Sequence, residues 1–246
     1  MRGEGNACSQ NLNHQKRIFA FALRQATTMQ ILEPETDRLV LRQWRQSDKA
    51  PFSELNADPS VMAYFPDLLS TQQSDAMADR CASLIAERGW GFWAVELKTS
   101  GSFLGFVGLH VPTDKLPFSP CVEIGWRLAY EHWGNGFATE AAREVLRVGF
   151  EVIGLQEIVS FTAVTNRRSQ AVMRRLGMEE DGTFEHPAVP AASELKRHCL
   201  YRIRECPLPM ASNRPDSVGV AELCLPFQNP PTPKGKPQPG ETVVQH

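Results

Sequence analysis

One glycine-rich turn, Trp133-Gly134-Asn135-Gly136-Phe137-Ala138, joins a segment with the pattern of a strand to a segment with the pattern of a helix. Before the turn, polar and apolar residues alternate over 121–129, which is typical of a β-strand. After it, apolar residues recur at three- and four-residue spacing over 138–152, which predicts an amphipathic helix of about four turns. The sequence therefore predicts a strand, a tight turn and a helix in direct succession.

A junction of this kind can bind an anion. The first N–H groups of a helix have no partner within the helix, and they point the same way at the positive end of its dipole. Phosphates bind readily at such a position. Gly134 and Gly136 would let the backbone approach a pyrophosphate, and the small Ala138 leaves the helix start uncrowded. Two glycines before a helix are also a common tight turn, so this motif alone leaves both interpretations open.

Other patterned segments lie on both sides of this junction. Apolar, β-branched and alternating segments predict further strands over 38–42, 92–97, 103–111, 158–164 and 198–204. Helical composition ending at a glycine predicts helices over 71–88 and 167–176. The order of these elements indicates an α+β domain with a largely antiparallel sheet.

The ends of the chain differ in composition from this middle part. Residues 1–32 are polar and lack clear periodicity, and residues 206–246 are rich in proline. Such composition favours extended, solvated backbone over packed elements, so we predict a disordered extension and a disordered tail. The remaining residues, 33–205, form one predicted domain.

Composition narrows the possible class of protein. The 246 residues are 42% hydrophobic and 22% charged, as in an ordinary globular protein. A formal net charge of −2 gives no global attraction to nucleic acid or to an anionic membrane. The six cysteines form no C-x-x-C pair, so no metal site is predicted. The apolar run Ile18–Leu23 is too short for a signal peptide or a membrane span, so we expect a cytoplasmic protein.

Several motifs in order resemble one known family. They are Thr36-Asp37-Arg38-Leu39-Val40-Leu41-Arg42, then Glu123-Ile124-Gly125-Trp126-Arg127-Leu128, the glycine turn continued through Thr139-Glu140-Ala141, and Thr165-Asn166-Arg167-Arg168-Ser169-Gln170. Together they resemble the GNAT superfamily of acetyl-CoA N-acetyltransferases, and most closely its RimJ/RimL-like branch. The family's loop pattern is Q/R-x-x-G-x-G/A, and Trp133 departs from it at the first position.

The resemblance implies a fold and an activity. The fold would be a single domain with a mixed, mostly antiparallel, twisted sheet of about seven strands, flanked by helices and splayed between the fourth and fifth strands. The enzyme would transfer the acetyl group of acetyl-CoA to a primary amine, either a protein N-terminus or a small molecule, by direct attack. We expect a monomer or a weak homodimer.

By the same resemblance, specific residues would bind acetyl-CoA. Backbone N–H groups would hold the pyrophosphate, and they belong to Gly134, Asn135, Gly136, Phe137, Ala138 and Thr139. The backbone of Trp126, Arg127 and Leu128 would pair with the pantetheine arm like an added strand. Asn166 would contact CoA, although its place just before a helix also suits a plain capping role.

Direct attack requires a base for the amine proton and a donor for the departing thiolate. Glu123 is the candidate base, because it lies on the polar face of its strand near the thioester end of the site. An exposed carboxylate paired with a neighbouring cation is the alternative. Ser169 is the candidate thiolate donor by resemblance, and a hydroxyl that only caps the helix is the alternative.

Two further residues are candidates for the acceptor side. His186 precedes Pro187 in a loop and could contact the substrate, although a solvated histidine would look the same. Trp93 could form a wall of the acceptor pocket, or it could belong to the core. The segments expected to select the acceptor, 60–90, 112–120 and 180–197, contain no pattern or spacing that identifies it.

Two other functions compete with an enzyme. A non-catalytic acyl-CoA-binding module would keep the glycine turn and Asn166 and lack a working base and thiol donor, whereas Glu123 and Ser169 favour catalysis. A nucleotide-binding domain would need a G-x-x-x-x-G-K-[ST] motif and alternating βαβ units, and the sequence has neither.

Overall fold

The computed structural model describes residues 30–205, in which seven strands and four α-helices follow one another. In chain order these elements are β1 (Leu39–Arg42), α1 (Lys49–Ala57), α2 (Thr71–Arg88), β2 (Phe92–Leu97), β3 (Phe103–His110), β4 (Glu123–Leu128), α3 (Phe137–Arg147), β5 (Glu157–Ala163), α4 (Arg167–Arg175), β6 (Glu179–Glu185) and β7 (Arg197–Arg204). A π-helical turn, Val148–Val152, continues α3. The predicted tail and residues 1–29 of the predicted extension lie outside the described residues.

The strands form one mixed sheet in the order β1-β2-β3-β4-β5-β7-β6. Every neighbouring pair is antiparallel except β4 and β5, which run parallel. A single residue pair, Glu123 with Val159, joins β4 to β5. Beyond Glu123 the two strands diverge, so the rest of β4 presents an open edge. The predicted seven-stranded sheet, splayed between its fourth and fifth strands, is confirmed.

Helices cover both faces of the sheet, as the alternation along β3 shows. Phe106 packs its ring against Phe52 of α1, with the ring centroids 6.0 Å apart. Leu109, of opposite parity, lies beneath Gly149 at the end of the α3 segment. The two helical layers therefore enclose apolar side chains from the central strands on both sides.

The boundaries of α2 agree with the prediction, and its end signals explain why. Ser70 and Gln73 form a reciprocal capping box at its start. At its end, Gly89 takes the left-handed conformation, with φ of 81°.

Just before β1, Ile31 and Leu32 pack against the core, and Leu32 N–H donates to the Gly89 carbonyl over 2.8 Å. The predicted extension had included these two residues.

Two elements carry no clear sequence pattern. Helix α1 buries only Phe52, Leu55 and Asn56 of its nine residues, so its apolar stripe is short. Strand β6 has the sequence EEDGTFE and lies almost fully exposed at the sheet edge. It is held by pairing with β7 rather than by burial.

None of the helices in the described part of the chain is both long and apolar enough to cross a membrane.

Candidate active site

A cleft of about 1220 Å³ lies where β4 ends and α3 begins. The loop between α1 and α2 lines one side, and α4 lines the other. All the predicted cofactor-binding residues except Asn135 line it, together with the predicted thiolate donor Ser169: Trp126, Arg127, Leu128, Gly134, Gly136, Phe137, Ala138, Thr139 and Asn166. Segments predicted from widely separated parts of the sequence therefore converge on one concave surface.

The glycine turn takes a backbone conformation that favours glycine at two positions. Gly134 has φ of 79° and Gly136 has φ of 80°, both in the left-handed region. Gly136 is the N-cap residue of α3, and as a glycine it has no side chain with which to cap this helix start. A Cβ atom added to Gly134 would meet nothing within 4 Å. The turn is therefore open toward a ligand, and the first N–H groups of α3 are available to an anion.

Arginines give the cleft a positive lining. Those that line it are Arg38, Arg127, Arg143, Arg168 and Arg175, against the acidic residues Asp37, Glu131 and Glu140. The Arg168 guanidinium also stacks over the Trp133 ring, 4.7 Å from its centroid. Arg38, Arg143, Arg168 and Arg175 were not among the predicted site residues. The seven-residue spacing of Arg168 and Arg175 on α4 is the signal that could have indicated a shared helix face.

The open edge of β4 forms the floor of the cleft. Trp126 and Leu128 are buried in the fold and line the cleft as well. The Trp133 indole N–H donates to the Leu128 carbonyl over 2.8 Å, which ties the glycine turn to the end of the strand. Trp133, the departure from the family pattern, thus has a structural role. One carbonyl of the predicted pantetheine-binding edge is already accepting this hydrogen bond.

Arg127 projects to the opposite face of the sheet from Trp126. It is buried, its guanidinium donates to the Asn56 amide oxygen over 2.6 Å, and it stacks 4.0 Å from the centroid of Phe65. Burial lowers the pKa of Arg127, and the Coulombic interaction with Cys81 opposes that shift. Phe65 belongs to the predicted specificity segment 60–90, and it lines the cleft together with Val61 and Tyr64.

Asn166 and Ser169 form a reciprocal pair at the start of α4. Asn166 is the N-cap residue, and its side-chain oxygen accepts from Ser169 N–H over 3.2 Å. Its amide nitrogen donates to the Ser169 hydroxyl oxygen over 3.1 Å and to Thr162 over 2.9 Å. The capping role considered for Asn166 is present, and both side chains line the cleft as well. Because the Ser169 oxygen accepts a hydrogen bond, its O–H is directed elsewhere as a donor.

Glu123 is the first residue of β4, at the point where β4 and β5 separate. It is 1% exposed, so the alternative of an exposed strand carboxylate is wrong. It does not belong to the cleft lining, but strand alternation places it on the same sheet face as Arg127. The carboxylate therefore lies at the inner end of the open edge, beyond the lining residues.

His186 and Trp93 lie apart from the cleft lining. His186 is 1% exposed in an aromatic cluster with Phe161, Phe184 and His198, so the alternative of a solvated histidine is wrong. Burial, His198 and Lys196 lower the pKa of His186 to about 4. Trp93 is fully buried, and its indole N–H donates to the Leu32 carbonyl over 2.7 Å. This core position gives no support to a place for Trp93 in the acceptor pocket.

The described residues contain no cluster of three or more histidine, cysteine, aspartate or glutamate side chains arranged to hold a metal ion. Beside three carboxylates, the polar groups that line the cleft include five arginines, the glycine turn and the hydroxyls of Thr139 and Ser169. Such a donor set suits a polyanionic ligand.

Comparison with known proteins gives an independent view of the fold and its family. Residues 38–179 match the family described as Acetyltransferase (GNAT) domain. The chain is similar to the uncharacterized protein YkkB of Bacillus subtilis, with 34% identity over 160 residues, which is 64% of this chain and 91% of YkkB. It is also similar to the uncharacterized N-acetyltransferase YoaA of the same organism, with 29% identity over 61% of this chain and 84% of YoaA.

A solved structure shares the fold. The ribosomal-protein-S5-alanine acetyltransferase of Vibrio fischeri superposes with a TM-score of 0.57 and 18% identity, covering 70% of this chain and 96% of that one. At this identity the likeness concerns the fold alone.

Proposed function

Because this chain belongs to the GNAT acetyltransferase family, we propose that it transfers the acetyl group of acetyl-CoA to a primary amine, on a protein N-terminus or on a small molecule. That it is an acetyltransferase enzyme follows from the family. The observation that carries the finer proposal is the start of α3, which opens without a side-chain cap into an arginine-lined cleft beside the open edge of β4.

The polyanionic end of the donor fits the outer part of this cleft. CoA carries a pyrophosphate and a further phosphate, and the helix start offers N–H groups and the positive end of a helix dipole. In this proposal the backbone from Gly134 to Thr139 binds the pyrophosphate. Arg143, Arg168 and Arg175, which also line the cleft, would add positive charge around it.

The pantetheine arm fits the edge that β4 leaves open. Its amides can pair with main-chain groups of Trp126 and Leu128 as an additional strand would. Since β5 diverges after Glu123, this pairing leads the thioester toward the inner end of the gap. Main-chain N–H groups of the same edge would stabilise the oxyanion that forms there.

The reaction needs one proton taken up and one delivered. The neutral amine attacks the thioester carbonyl, and Glu123, directly or through a water molecule, accepts the proton that the amine nitrogen loses. The tetrahedral intermediate then collapses, the C–S bond breaks, and the Ser169 hydroxyl gives its proton to the departing thiolate and regains one from solvent, while Glu123 releases its proton to solvent. Because the Ser169 oxygen accepts a hydrogen bond from Asn166, the hydroxyl proton is left for donation to the sulfur.

The acceptor would enter from the face on which Arg127 and Phe65 meet. The loop between α1 and α2 supplies Val61, Tyr64 and Phe65 to the cleft on this side. These side chains bring apolar and aromatic surface to the place where the amine must approach. The proposal leaves both classes of amine as candidates.

The test is release of CoA thiol from acetyl-CoA over a panel of acceptors. The panel holds peptides with free N-termini, polyamines, amino acids and aminoglycosides, with CoA binding measured separately by calorimetry. We expect saturable, acceptor-dependent thiol release with at least one class. Tight CoA binding with no turnover on any acceptor would instead favour a non-catalytic acyl-CoA-binding module.

A further inference from the structure

The arginine immediately before β1 is bonded to the main chain of the glycine turn. Arg38 donates from both terminal nitrogens to the Asn135 carbonyl oxygen, each over 3.2 Å. The two residues are 97 positions apart in sequence. This contact lies within the predicted pyrophosphate loop, but on a carbonyl, which no anion would bind.

The carbonyl contact fixes the direction of a neighbouring N–H group. In a planar trans peptide the C=O and the next N–H point to opposite sides. With the Asn135 carbonyl held by Arg38, the N–H of Gly136 must point away from Arg38. The Asn135 side chain acts in the same way, because its amide nitrogen donates to the Trp133 carbonyl over 3.2 Å and so turns the Gly134 N–H to the other side.

Arg38 is itself held by the first turn of α3. Its Nε donates to Glu140 Oε2 over 2.6 Å, and its backbone N–H donates to Glu140 Oε1 over 3.1 Å. The Thr36 hydroxyl donates to Glu140 Oε1 over 2.5 Å. The Arg38 guanidinium also lies 4.6 Å from the centroid of the Phe137 ring. The strand end and the helix start are thereby joined through one carboxylate.

A negative charge on Glu140, by itself, disfavours binding of an anion at the start of α3. Burial raises its pKa, but the hydrogen bonds from Thr36 and Arg38, with the charge of Arg38, outweigh burial and hold the pKa below its ordinary value. A permanent negative charge one turn into α3 repels a pyrophosphate bound at the helix start. Its presence is explained if its task is to hold Arg38 in place.

We propose that Arg38, held by Glu140 and Thr36, is a positioning residue that orients the Gly136 peptide group toward the pyrophosphate of CoA. Glu140 and Thr36 act through Arg38, and the Asn135 side chain orients the Trp133–Gly134 peptide of the same loop. The inference rests on the proposed function, since it assigns a role within that same donor site. It goes beyond it by placing affinity for the donor in a contact between β1 and α3.

The test measures the dissociation constant of CoA by calorimetry in four variants. Arg38→Lys keeps the positive charge and loses the pair of terminal nitrogens that donate to the Asn135 carbonyl, whereas Arg38→Gln loses both the charge and this pair. Glu140→Gln removes the negative charge, and Thr36→Val removes the hydroxyl donor. We expect each Arg38 variant and Glu140→Gln to weaken CoA binding about tenfold, and Thr36→Val to weaken it less. Arg45→Gln, which breaks an ion pair between an exposed arginine and Glu96 outside the cleft, is the matched control and should bind CoA normally.

Two signs separate positioning from simple electrostatic attraction. If Arg38 acts only by its charge, Arg38→Lys binds CoA normally and Glu140→Gln binds it more tightly, and either result would overturn the inference. Steady-state kinetics add a second readout, since KM for acetyl-CoA should rise while kcat at saturation stays within about twofold. With acetyl-pantetheine, which has no pyrophosphate, kcat/KM should be the same in the wild type and the variants.

Failure of the inference differs from failure of the proposed function. A wild-type chain that does not bind CoA overturns the proposed function and this inference with it. Wild-type binding with unchanged affinity in Arg38→Lys and Glu140→Gln overturns the inference alone. Thermal melting of every variant identifies those that lose affinity because they unfold. Where the Arg38 and Glu140 variants unfold, Thr36→Val, the mildest change, decides the outcome. Weaker CoA binding in this folded variant supports the inference, and unchanged binding overturns it.

Discussion

Asn166 and Ser169 are joined by two hydrogen bonds at the start of α4. The Asn166 amide nitrogen donates to the Ser169 hydroxyl oxygen, and the Ser169 backbone N–H donates to the Asn166 side-chain oxygen. The helix cap uses only the Asn166 oxygen and the Ser169 N–H. The Ser169 hydroxyl is therefore not needed for the cap, although it is held in place by it. This separation makes the catalytic and structural roles of Ser169 experimentally distinct.

Ser169→Ala should lower kcat by about tenfold or more, the usual scale for loss of a proton-transfer group. Thermal stability should change little, because the cap remains. The measurement is steady-state thiol release with a melting curve on the same preparation. Ser83→Ala removes a hydroxyl from an exposed helical position outside the cleft and serves as control. Equal rates in the Ser169 variant and the wild type would remove Ser169 from the mechanism.

Glu123→Gln should lower kcat by about tenfold or more, because the amide cannot accept the proton that the amine nitrogen loses. The measurement is steady-state thiol release at saturating acetyl-CoA and acceptor, with the exposed Glu151→Gln as control. An unchanged kcat in Glu123→Gln would assign the base elsewhere.

Gly134→Ala should raise KM for acetyl-CoA, and it should lower the free energy of unfolding by the same amount as the matched variant Gly154→Ala. Gly134 and Gly154 have φ of 79° and 78°, and an added Cβ at either would meet nothing within 4 Å. Both alanine variants should thus lose about 1 kcal/mol of stability from the left-handed conformation. Only Gly134 lines the cleft. If Gly154→Ala raises KM equally, backbone strain rather than ligand approach explains the effect.

The buried His186 should make the protein less stable in mild acid. Its folded-state pKa of about 4 lies below the ordinary value of 6.5, so the imidazole is uncharged in both states at neutral pH. As pH falls below about 6.5, the unfolded chain binds a proton that the folded chain does not. Stability is then lost progressively until about pH 4. The expected loss from this group between pH 7 and 5 is on the order of 1 to 2 kcal/mol.

His186→Asn isolates this effect. The asparagine oxygen can accept from Ala188 N–H, as the Nδ1 of His186 does over 3.3 Å. Urea unfolding at pH 7 and pH 5 should show a smaller loss of stability in the variant than in the wild type. The carboxylates titrate in both proteins, so the difference between the two losses reports on His186. Identical losses would mean that His186 is protonated in the folded state at pH 5.

Elements with local signals were predictable, and elements held by tertiary contacts were not. Helix α2 was predicted from its helical composition and from Gly89, which follows its last residue, and the structure adds a capping box at its start. Strand β6 has mostly polar residues and exists because β7 offers it an edge to pair with. Local propensity is a weak guide where pairing, rather than burial, stabilises a strand.

The sequence by itself determined the glycine turn, the helix that follows it and the Asn166 cap, because each depends on backbone conformations and hydrogen bonds within a few residues. The resemblance carried by these motifs led to the family. Only the tertiary structure decided that Arg38 holds the Asn135 carbonyl and that Glu140 holds Arg38. These partners are about a hundred positions apart, and they meet because α3 lies across the sheet and contacts β1 as well as β4. No local pattern encodes that approach, since it depends on the order in which the strands assemble.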